Sequence, residues 1–309
     1  VDDAALHAGR EEWAEAIRDA EAAVELAKTT AAGENARLSP EASLASARRG
    51  LETAEAQAAQ VERDRAFQKL EGALAKMRKR ELEEMRGAHR RPALCRLETS
   101  LVEVLVQDGF VQVTTPTIMS RGLLARMGIT EAHDLSSQIF WLDGDRCLRP
   151  MLAPHLYYVI KDLLRLWEKP VGIFEIGSCF RKDTQGARHS NEFTMLNLCE
   201  FGLPEADRSR RIREMAKLVT RAAGVDDYRL EEEASNVYGE TVDVVSSEGL
   251  ELGSGAMGPH PLDHAWRITG PWVGIGFGLE RLLMTARGGD SIGKVGRSLA
   301  YLDGITLRI

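Results

Sequence analysis

Cysteine is scarce in this chain of 309 residues, which contains only Cys95, Cys147, Cys179 and Cys199. The four lie far apart, and the sequence has no CxxC or HExxH motif and no cluster of cysteine and histidine. This pattern argues against a disulfide framework and against a structural zinc site. It favours a reducing, cytoplasmic environment.

Long apolar runs are missing as well. No stretch approaches the roughly 18 consecutive apolar residues that mark a transmembrane helix. The first thirty residues carry acidic side chains where a secretory signal would have an apolar segment. We therefore expect neither a membrane span nor a secretory signal. The composition, 44% apolar and 28% charged, is typical of a folded protein with one large domain or a core with appendages.

The net charge of −7 argues at first against a nucleic-acid partner, but the charge is unevenly distributed. Residues 1–62 contain 6 Lys/Arg against 13 Asp/Glu, residues 63–91 contain 10 against 5, and residues 92–309 are acidic again. A local basic block of this kind is a candidate for contact with phosphates. The alternative is an ordinary solvated helix face.

The first 60 residues are rich in Ala and Glu, and we predict a helical extension of unknown role, either an appended hairpin or a poorly anchored tail. Gly33 interrupts its first helix, and Pro40 is typical of the first position of a second helix. Further along, an apolar stripe predicts a third helix, which the stripe would hold to the rest of the protein. The stripe consists of Phe67, Leu70, Leu74 and Met77.

After residue 92 the sequence changes to a mixture of helix and strand patterns. A helix that ends near Gly109 precedes a β-branched strand at Phe110–Pro116. Further strands are predicted at Ser137–Leu142, Gly172–Phe180, Glu192–Glu200, Thr241–Val245, Gly249–Gly253 and Val273–Phe277. Further helices are predicted at Pro154–Trp167, Ala206–Ala223 and Leu279–Thr285. Because strands outnumber possible crossover helices, the pattern favours an α+β fold with a mostly antiparallel sheet flanked by helices.

Two glycine-rich segments are similar to nucleotide-binding motifs, but neither matches its motif fully. Residues 288–295 are one residue short of a P-loop, and Val295 stands where the magnesium-binding Ser or Thr would be. Residues 274–278 follow a strand and open a helix, but they do not read GxGxxG and no βαβ unit surrounds them. We therefore predict neither a P-loop nor a Rossmann site.

Three other segments, taken in order, resemble the three motifs of the class II aminoacyl-tRNA synthetases. They are the helix and strand that end at Pro116, the sequence Phe180-Arg181-Lys182-Asp183 with the strand from Glu192, and Gly276–Met284. The resemblance implies a catalytic domain at 92–309 that activates an amino acid with ATP, and a homodimer formed through the first motif. It also makes residues 61–91 a tRNA-binding region. The expected phosphate contacts are Lys76, Arg78, Lys79 and Arg80.

The charged residues of these motifs suit such a reaction. Activation brings an amino-acid carboxylate to the α-phosphate of ATP, and the planar guanidinium of Arg181 can contact both anions. Arg281, at the start of a helix beside glycines, can reach the γ-phosphate. These two arginines are the expected catalytic residues, and the oxygens of Glu251 and Ser254 suit Mg²⁺. By resemblance, the ATP contacts are Arg181, Asp183, His189, Phe193 on the adenine, Glu251, Ser254 and Arg281.

More specifically, the sequence resembles the pyrrolysine-specific branch of the family, in the bacterial form in which the enzyme is split into two chains. The segments that carry it are Leu148–Pro154, Glu192–Cys199, Val237–Thr241 and Trp272–Met284. This implies pyrrolysine and an amber-decoding tRNA with a CUA anticodon as substrates. It also implies that a second tRNA-binding domain is a separate small chain.

The same resemblance places pyrrolysine in a deep pocket. The amide of Asn197 would contact the acyl carbonyl at the end of the lysine stem, Cys199 would line the pocket, and Tyr238 would cover the mouth. The walls would be formed by Ala153, Leu156, Tyr157, Ile160 and Trp272. These residue types fit the substrate, because a long lysine stem needs an apolar tunnel and one placed amide can recognise its single carbonyl.

Two alternatives remain open. One is a class II synthetase for another amino acid, because pocket residues change readily on one fold. The other is a non-catalytic tRNA-binding paralogue, which would be expected to lose its catalytic arginines. The chain departs from the family pattern at Asp183, where a glutamate is usual, and at Ser190, where an apolar residue is expected. Gly253 and Ala256 are small and indicate a roomier back wall.

Overall fold

The computed structural model describes residues 13–19, 21–22, 40–182, 186–187, 189–235 and 239–308. Contacts divide the chain into two units, one that reaches to Arg80 and one from Glu81 to Arg308. Within the described ranges, no helix is both long enough and apolar enough to cross a membrane.

The N-terminal unit contains two helical segments that contact each other through small residues. Residues 13–19 and 21–22 are helical, and α1 comprises Pro40–Ala88. The ring of Trp13 lies so close to α1 that a Cβ on Gly50 would meet it at 2.5 Å. Ala47 and Ala54 are buried on the same face of α1. This contact is the one expected of an appended hairpin, although the expected break at Gly33 lies outside the described residues.

Two expectations for this region are wrong. The second and third predicted helices are one continuous helix, because nothing between Pro40 and Ala88 interrupts the backbone hydrogen bonding. The apolar stripe is also largely in solvent, with Phe67 65%, Leu70 57% and Met77 43% exposed. Its spacing predicts a helix correctly, but periodicity cannot tell whether a narrow apolar stripe between charged side chains has a partner.

The C-terminal unit is an α+β domain. Its helices are α2 (Ala93–Gln107), α3 (Arg121–Arg126), α4 (Ala153–Leu166), α5 (Arg208–Ala222), α6 (Asp263–Trp266), α7 (Leu279–Ala286) and α8 (Ile292–Val295). Its strands are β1 (Val111–Gln112), β2 (Ile118–Ser120), β3 (Arg146–Leu148), β4 (Val171–Phe180), β5 (Glu192–Phe201), β6 (Tyr228–Ser235), β7 (Gly239–Ser246), β8 (Glu251–Gly258), β9 (Trp272–Gly278), β10 (Tyr301–Leu302) and β11 (Ile305–Thr306).

Seven strands form the main sheet in the order β1-β4-β5-β9-β8-β7-β6. Its neighbours pair antiparallel except β1 and β4, which are parallel. This confirms the predicted α+β fold with a mostly antiparallel sheet. Two short antiparallel pairs, β2 with β3 and β10 with β11, lie outside the main sheet.

The two faces of the sheet carry separate hydrophobic clusters. On one face α2, α5 and α7 pack through fully buried residues such as Leu101, Met215 and Leu282. The other face packs against α4 and α6. Ile173 and Phe174, neighbours on β4, belong to different clusters, as the alternation of side chains along a strand requires. The second cluster supplies Tyr157, Phe201 and Trp272 to the cavity described below.

Most of the predicted elements are confirmed, but two strand predictions need correction, and strands β2, β3, β6, β10 and β11 were not predicted. The expected strand at Ser137–Leu142 is wrong, because the chain forms a 3₁₀ turn at Asp134–Gln138 whose first turn is capped by the Nδ1 atom of His133. Of the strand expected at Phe110–Pro116, only Val111 and Gln112 pair in the sheet, as β1. Strand β6 was not predicted, because its charged residues obscure the alternation that marks a half-buried strand.

Candidate active site

A cavity of about 380 Å³ opens between β5, β8, β9, α4 and the start of α7. Its lining is mostly apolar, with glycines on β8 and β9 and charged groups at one end. Most of the residues predicted from sequence line this one cavity. They are Ala153, Leu156, Tyr157, Arg181, His189, Phe193, Asn197, Cys199, Glu251, Ser254, Trp272 and Arg281.

Of the three remaining predicted residues, one lies away from the cavity wall and two cannot be placed against it. Ile160 is fully buried on α4 in the second cluster and is not part of the lining. Asp183 and Tyr238 lie outside the described residues. The structure adds Phe201, Met195 and Ile292 to the lining. No sequence pattern marks them as cavity residues, since an apolar residue on a strand or helix is ordinarily part of the core.

Arg181 follows β4 and is oriented by two contacts. Its Nε donates to the carbonyl oxygen of Pro150 at 2.9 Å, and its guanidinium lies 5.4 Å from the centre of the Phe193 ring. Its backbone N–H donates to the carbonyl oxygen of Asn191 at 3.0 Å. A guanidinium held through Nε by a backbone acceptor presents its terminal N–H donors in a fixed direction, which suits the recognition of anions.

Arg281 lies in the first turn of α7, immediately after β9. One of its terminal nitrogens donates to the carbonyl oxygen of Glu251 at 3.0 Å and lies 3.8 Å from the Glu251 carboxylate. This contact joins the third motif to the beginning of β8. An arginine at a helix N-terminus beside Gly278 forms a positive, open end of the cavity that fits a phosphate.

The oxygens beside Arg281 fit a magnesium ion. Glu251 and Ser254 lie on β8, and Asp243 on β7 pairs directly with Ser254, so the two side chains share one face of the sheet. One carboxylate oxygen of Asp243 is buried and has no hydrogen-bond partner among the described residues. In the same ranges no group of three or more His, Cys, Asp or Glu could hold a metal by itself. Two carboxylates and a hydroxyl nevertheless suffice for Mg²⁺, which takes its remaining ligands from phosphates and water.

The opposite part of the cavity is built for a neutral polar group within apolar walls. Asn197 on β5 lies opposite Gly276 on β9, and a Cβ on Gly276 would approach the Asn197 amide oxygen to 2.8 Å. Glycine at that position therefore makes room for the amide. Cys199, two residues further along β5, is buried, and burial raises the pKa of its thiol, so it lines the cavity as a neutral group.

The deepest wall is aromatic. The Tyr157 ring stacks on Trp266 with centroids 5.4 Å apart and meets Trp272 edge-on at 5.6 Å. Phe201 stacks on Trp272 at 5.5 Å and meets Tyr157 edge-on at 5.9 Å. Tyr157, Phe201 and Trp272 pack on one another and form an apolar end to the cavity, and Trp266 supports Tyr157 from behind.

Two buried acids support the site: Glu280, which is part of the cavity lining, and Glu175, which is not. The carboxylate of Glu280 accepts hydrogen bonds from the Thr194 backbone N–H at 2.9 and 3.0 Å, and burial raises its pKa. Glu175 pairs with Arg149 and accepts from Thr115, whose hydroxyl also lies 3.1 Å from His155 Nδ1. Burial lowers the pKa of His155. The sequence does not mark these two acids as supporting residues, because a lone Glu on a strand or at the start of a helix gives no sign of a buried partner.

The fold, the three motifs and the anion-binding end of the cavity define a class II aminoacyl-tRNA synthetase core. The family model "tRNA synthetases class II core domain (F)" matches residues 79–299, and the chain belongs to this family. A solved structure described as pyrrolysyl-tRNA synthetase from Desulfitobacterium hafniense is 56% identical, covers 80% of this chain and 88% of its own, and has a TM-score of 0.74. A second structure from that organism, described as PylSc, a pyrrolysyl tRNA synthetase, is 55% identical, covers 81% and 86%, and has a TM-score of 0.72.

A more distant similarity comes from another member of the class. The threonine–tRNA ligase of Finegoldia magna is 32% identical over 115 residues, which is 35% of this chain and 18% of the ligase. The chain therefore spans less than a fifth of the length of that curated relative. The shared portion is consistent with a common catalytic core.

Proposed function

We propose that this protein joins pyrrolysine to an amber-decoding tRNA with a CUA anticodon. In the first step the amino-acid carboxylate attacks the α-phosphate of ATP, which forms an aminoacyl-adenylate and releases diphosphate. In the second step the aminoacyl group passes to the tRNA and AMP is released. One observation carries the proposal: a single cavity has arginines and magnesium-type oxygens at one end and the Asn197 amide before an aromatic wall at the other.

The roles follow from the positions of the side chains. Arg181 contacts both the carboxylate and the α-phosphate and spreads over the negative charge that develops between them. Phe193, beside Arg181, provides the flat surface on which adenine stacks, and Arg281 binds the γ-phosphate. Glu251 and Ser254 would hold Mg²⁺, which neutralises phosphate charge when bound. Catalysis then consists of positioning and electrostatic stabilisation, without a covalent protein nucleophile.

Selectivity resides at the other end of the cavity. The Asn197 amide donates to the acyl carbonyl of the substrate, while the aromatic wall contacts its ring. A free lysine would leave its ammonium unpaired in this apolar space, which is costly. On sequence resemblance alone we assign Asp183 and His189 to ATP and Tyr238 to the mouth of the pocket.

We assign tRNA binding to the basic side chains of α1. Lys76, Lys79 and Arg80 are exposed and, with Arg78, fall within two helical turns, so their charges can meet a row of phosphates. The apolar stripe of α1 does not have the anchoring role first expected for it. We further propose that a separate small tRNA-binding chain completes recognition, as in the split form of the enzyme.

We also propose a homodimer built on α2 and β1. Strand β1 is an edge of the main sheet, and Val106 and Val111 are exposed apolar residues on these two elements. An edge strand and the helix before it, each with an exposed valine, are suited to isologous pairing with a second copy. A cytoplasmic location is proposed together with this function.

The experiment is ATP–diphosphate exchange with each of several amino acids. Exchange that depends on pyrrolysine or a close lysine carbamate is the expected result. Exchange with lysine or another standard amino acid would instead support a class II synthetase of different specificity. Binding of tRNA without exchange for any amino acid would support a non-catalytic paralogue.

A further inference from the structure

The aromatic wall is held from behind by one buried carboxylate, Asp263. One of its oxygens accepts from the Trp272 indole N–H at 2.8 Å and from the His260 backbone N–H at 2.7 Å. The other oxygen accepts from the Tyr157 hydroxyl at 3.4 Å. Asp263 is 4% exposed and is not part of the cavity lining, whereas Tyr157 and Trp272 are. Within the described ranges, the hydrogen bonds of Asp263 reach the cavity lining through these two rings.

On the side away from the cavity, close packing leaves the Trp272 and Tyr157 rings little room to move. A Cβ on Gly258 would lie 1.7 Å from the Trp272 indole nitrogen, so the indole lies directly against the β8 backbone. Tyr157 is stacked on Trp266, which belongs to the same short helix as Asp263. Helix α6 therefore supplies both an acceptor for the polar edges of the rings and a surface for one of their faces.

We propose that Asp263 is a positioning residue that sets the amino-acid selectivity of the site, by fixing the orientation of Trp272 and Tyr157 at the deep end of the cavity. Without this carboxylate, the Trp272 indole N–H and the Tyr157 hydroxyl would lose the hydrogen bonds that fix their present orientation, and the rings would turn. The end of the cavity would then no longer match a large ring at the tip of the substrate, while the ATP end would be unaffected. This inference rests on the proposed function.

The test compares Asp263→Asn with Asp263→Leu, which have similar volumes. Asparagine keeps an oxygen for Trp272 and the His260 N–H and can donate its amide N–H to the Tyr157 oxygen, whereas leucine offers neither. For each protein, exchange kinetics are measured with pyrrolysine and with a short acyl-lysine, and the KM for ATP is measured in parallel. Asp263→Leu should lose about tenfold or more in the preference for pyrrolysine over the short substrate. Its KM for ATP should stay near wild type, and Asp263→Asn should stay near wild type throughout.

A purely structural role for Asp263 predicts a different result in this comparison. If Asp263 only stabilised the fold, Asp263→Leu would lower activity with both substrates in parallel. Asp303 provides the control for lost stability, because it is a largely buried acid elsewhere in the domain that accepts from the Ala93 N–H at 2.9 Å. Asp303→Leu should lower the melting temperature without changing the preference between substrates.

The outcomes separate the inference from the proposed function. If the wild-type protein activates neither lysine derivative, the proposed function fails. If it activates them but the preference is unchanged in folded Asp263→Leu, the positioning role is wrong. Should Asp263→Leu not fold, Tyr157→Phe removes only the hydroxyl that Asp263 holds. An unchanged preference in that variant would overturn the inference, and a reduced preference would support it.

Discussion

The guanidinium of Arg149 lies 2.7 Å from the carboxylate of Glu175, and both side chains are almost completely buried, at 4% and 2% exposed. Arg149 also donates to the carbonyl oxygen of Ser178 at 2.8 Å, and Glu175 accepts from the Thr115 backbone N–H at 3.1 Å. The pair therefore links the chain before β2, the chain after β3, and β4. Pro150, the residue after Arg149, accepts the hydrogen bond that orients Arg181.

Breaking the Arg149–Glu175 pair should strongly lower the free energy of unfolding. Glu175→Gln leaves the Arg149 charge buried without its counter-charge, and we expect the free energy of unfolding to fall by about 3–5 kcal/mol. Urea denaturation measures it. The matched control is Glu214→Gln, which breaks an exposed pair with Arg210 on α5 and should barely move the midpoint. Equal shifts for the two variants would contradict the role given to the buried pair.

A single methyl group should separate amino-acid binding from ATP binding. In Gly276→Ala the new Cβ would lie 2.8 Å from the Asn197 amide oxygen, so the amide must move. The KM for pyrrolysine should rise by about tenfold or more while the KM for ATP changes little. Gly278→Ala is the control on the same strand, because its nearest neighbour would be 3.8 Å away. A similar rise in the KM for pyrrolysine in both variants would argue against the proposal that Asn197 binds the substrate.

We predict that amino-acid activation requires the guanidinium of Arg181 and not only its positive charge. Arg181→Lys keeps the charge but loses the planar group, and we expect kcat of exchange to fall by about 10²-fold or more. Lys182→Ala, the adjacent exposed cation, should have a small effect in the same assay. The account would fail here if Arg181→Lys retained nearly full kcat, since the guanidinium would then not be stabilising the transition state.

The basic block of α1 should act on tRNA and not on activation. Arg78, Lys79 and Arg80 changed together to alanine should weaken tRNA binding and flatten its dependence on salt, because fewer counterions are released. ATP–diphosphate exchange should remain near wild type. A double change of Arg213 and Lys217, exposed cations on α5, is the control. Aminoacylation and salt dependence that match the control would mean that the block is a solvated face.

The fold could be predicted where local patterns decide the structure. Strands β4, β5 and β9 have β-branched and apolar residues at the expected spacing, and Pro40 begins α1 as its position suggested. The prediction failed at Ser137–Leu142 because the His133 side chain caps a turn there, which periodicity does not reveal. It also failed to separate a buried stripe from an exposed one on α1, since burial depends on partners distant in sequence.

The candidate site could be predicted where a motif fixes both residue and role. Arg181, Asn197 and Arg281 line the cavity as expected. Phe201 and Asp263 could not be predicted in the same way. Their contacts join residues from different elements, and a lone phenylalanine or aspartate carries no mark of them. The sequence thus indicates the groups that touch the substrates more readily than the groups that hold them in place.

The central claim is tested most directly by attachment of the amino acid to tRNA, with ATP, an amber-decoding tRNA carrying a CUA anticodon, and either pyrrolysine or lysine. The small tRNA-binding chain is supplied in one series and omitted in the other. The account predicts that the tRNA is charged with pyrrolysine and not with lysine, and that diphosphate and AMP are released. Charging with lysine, or no charging with pyrrolysine in either series, would contradict it.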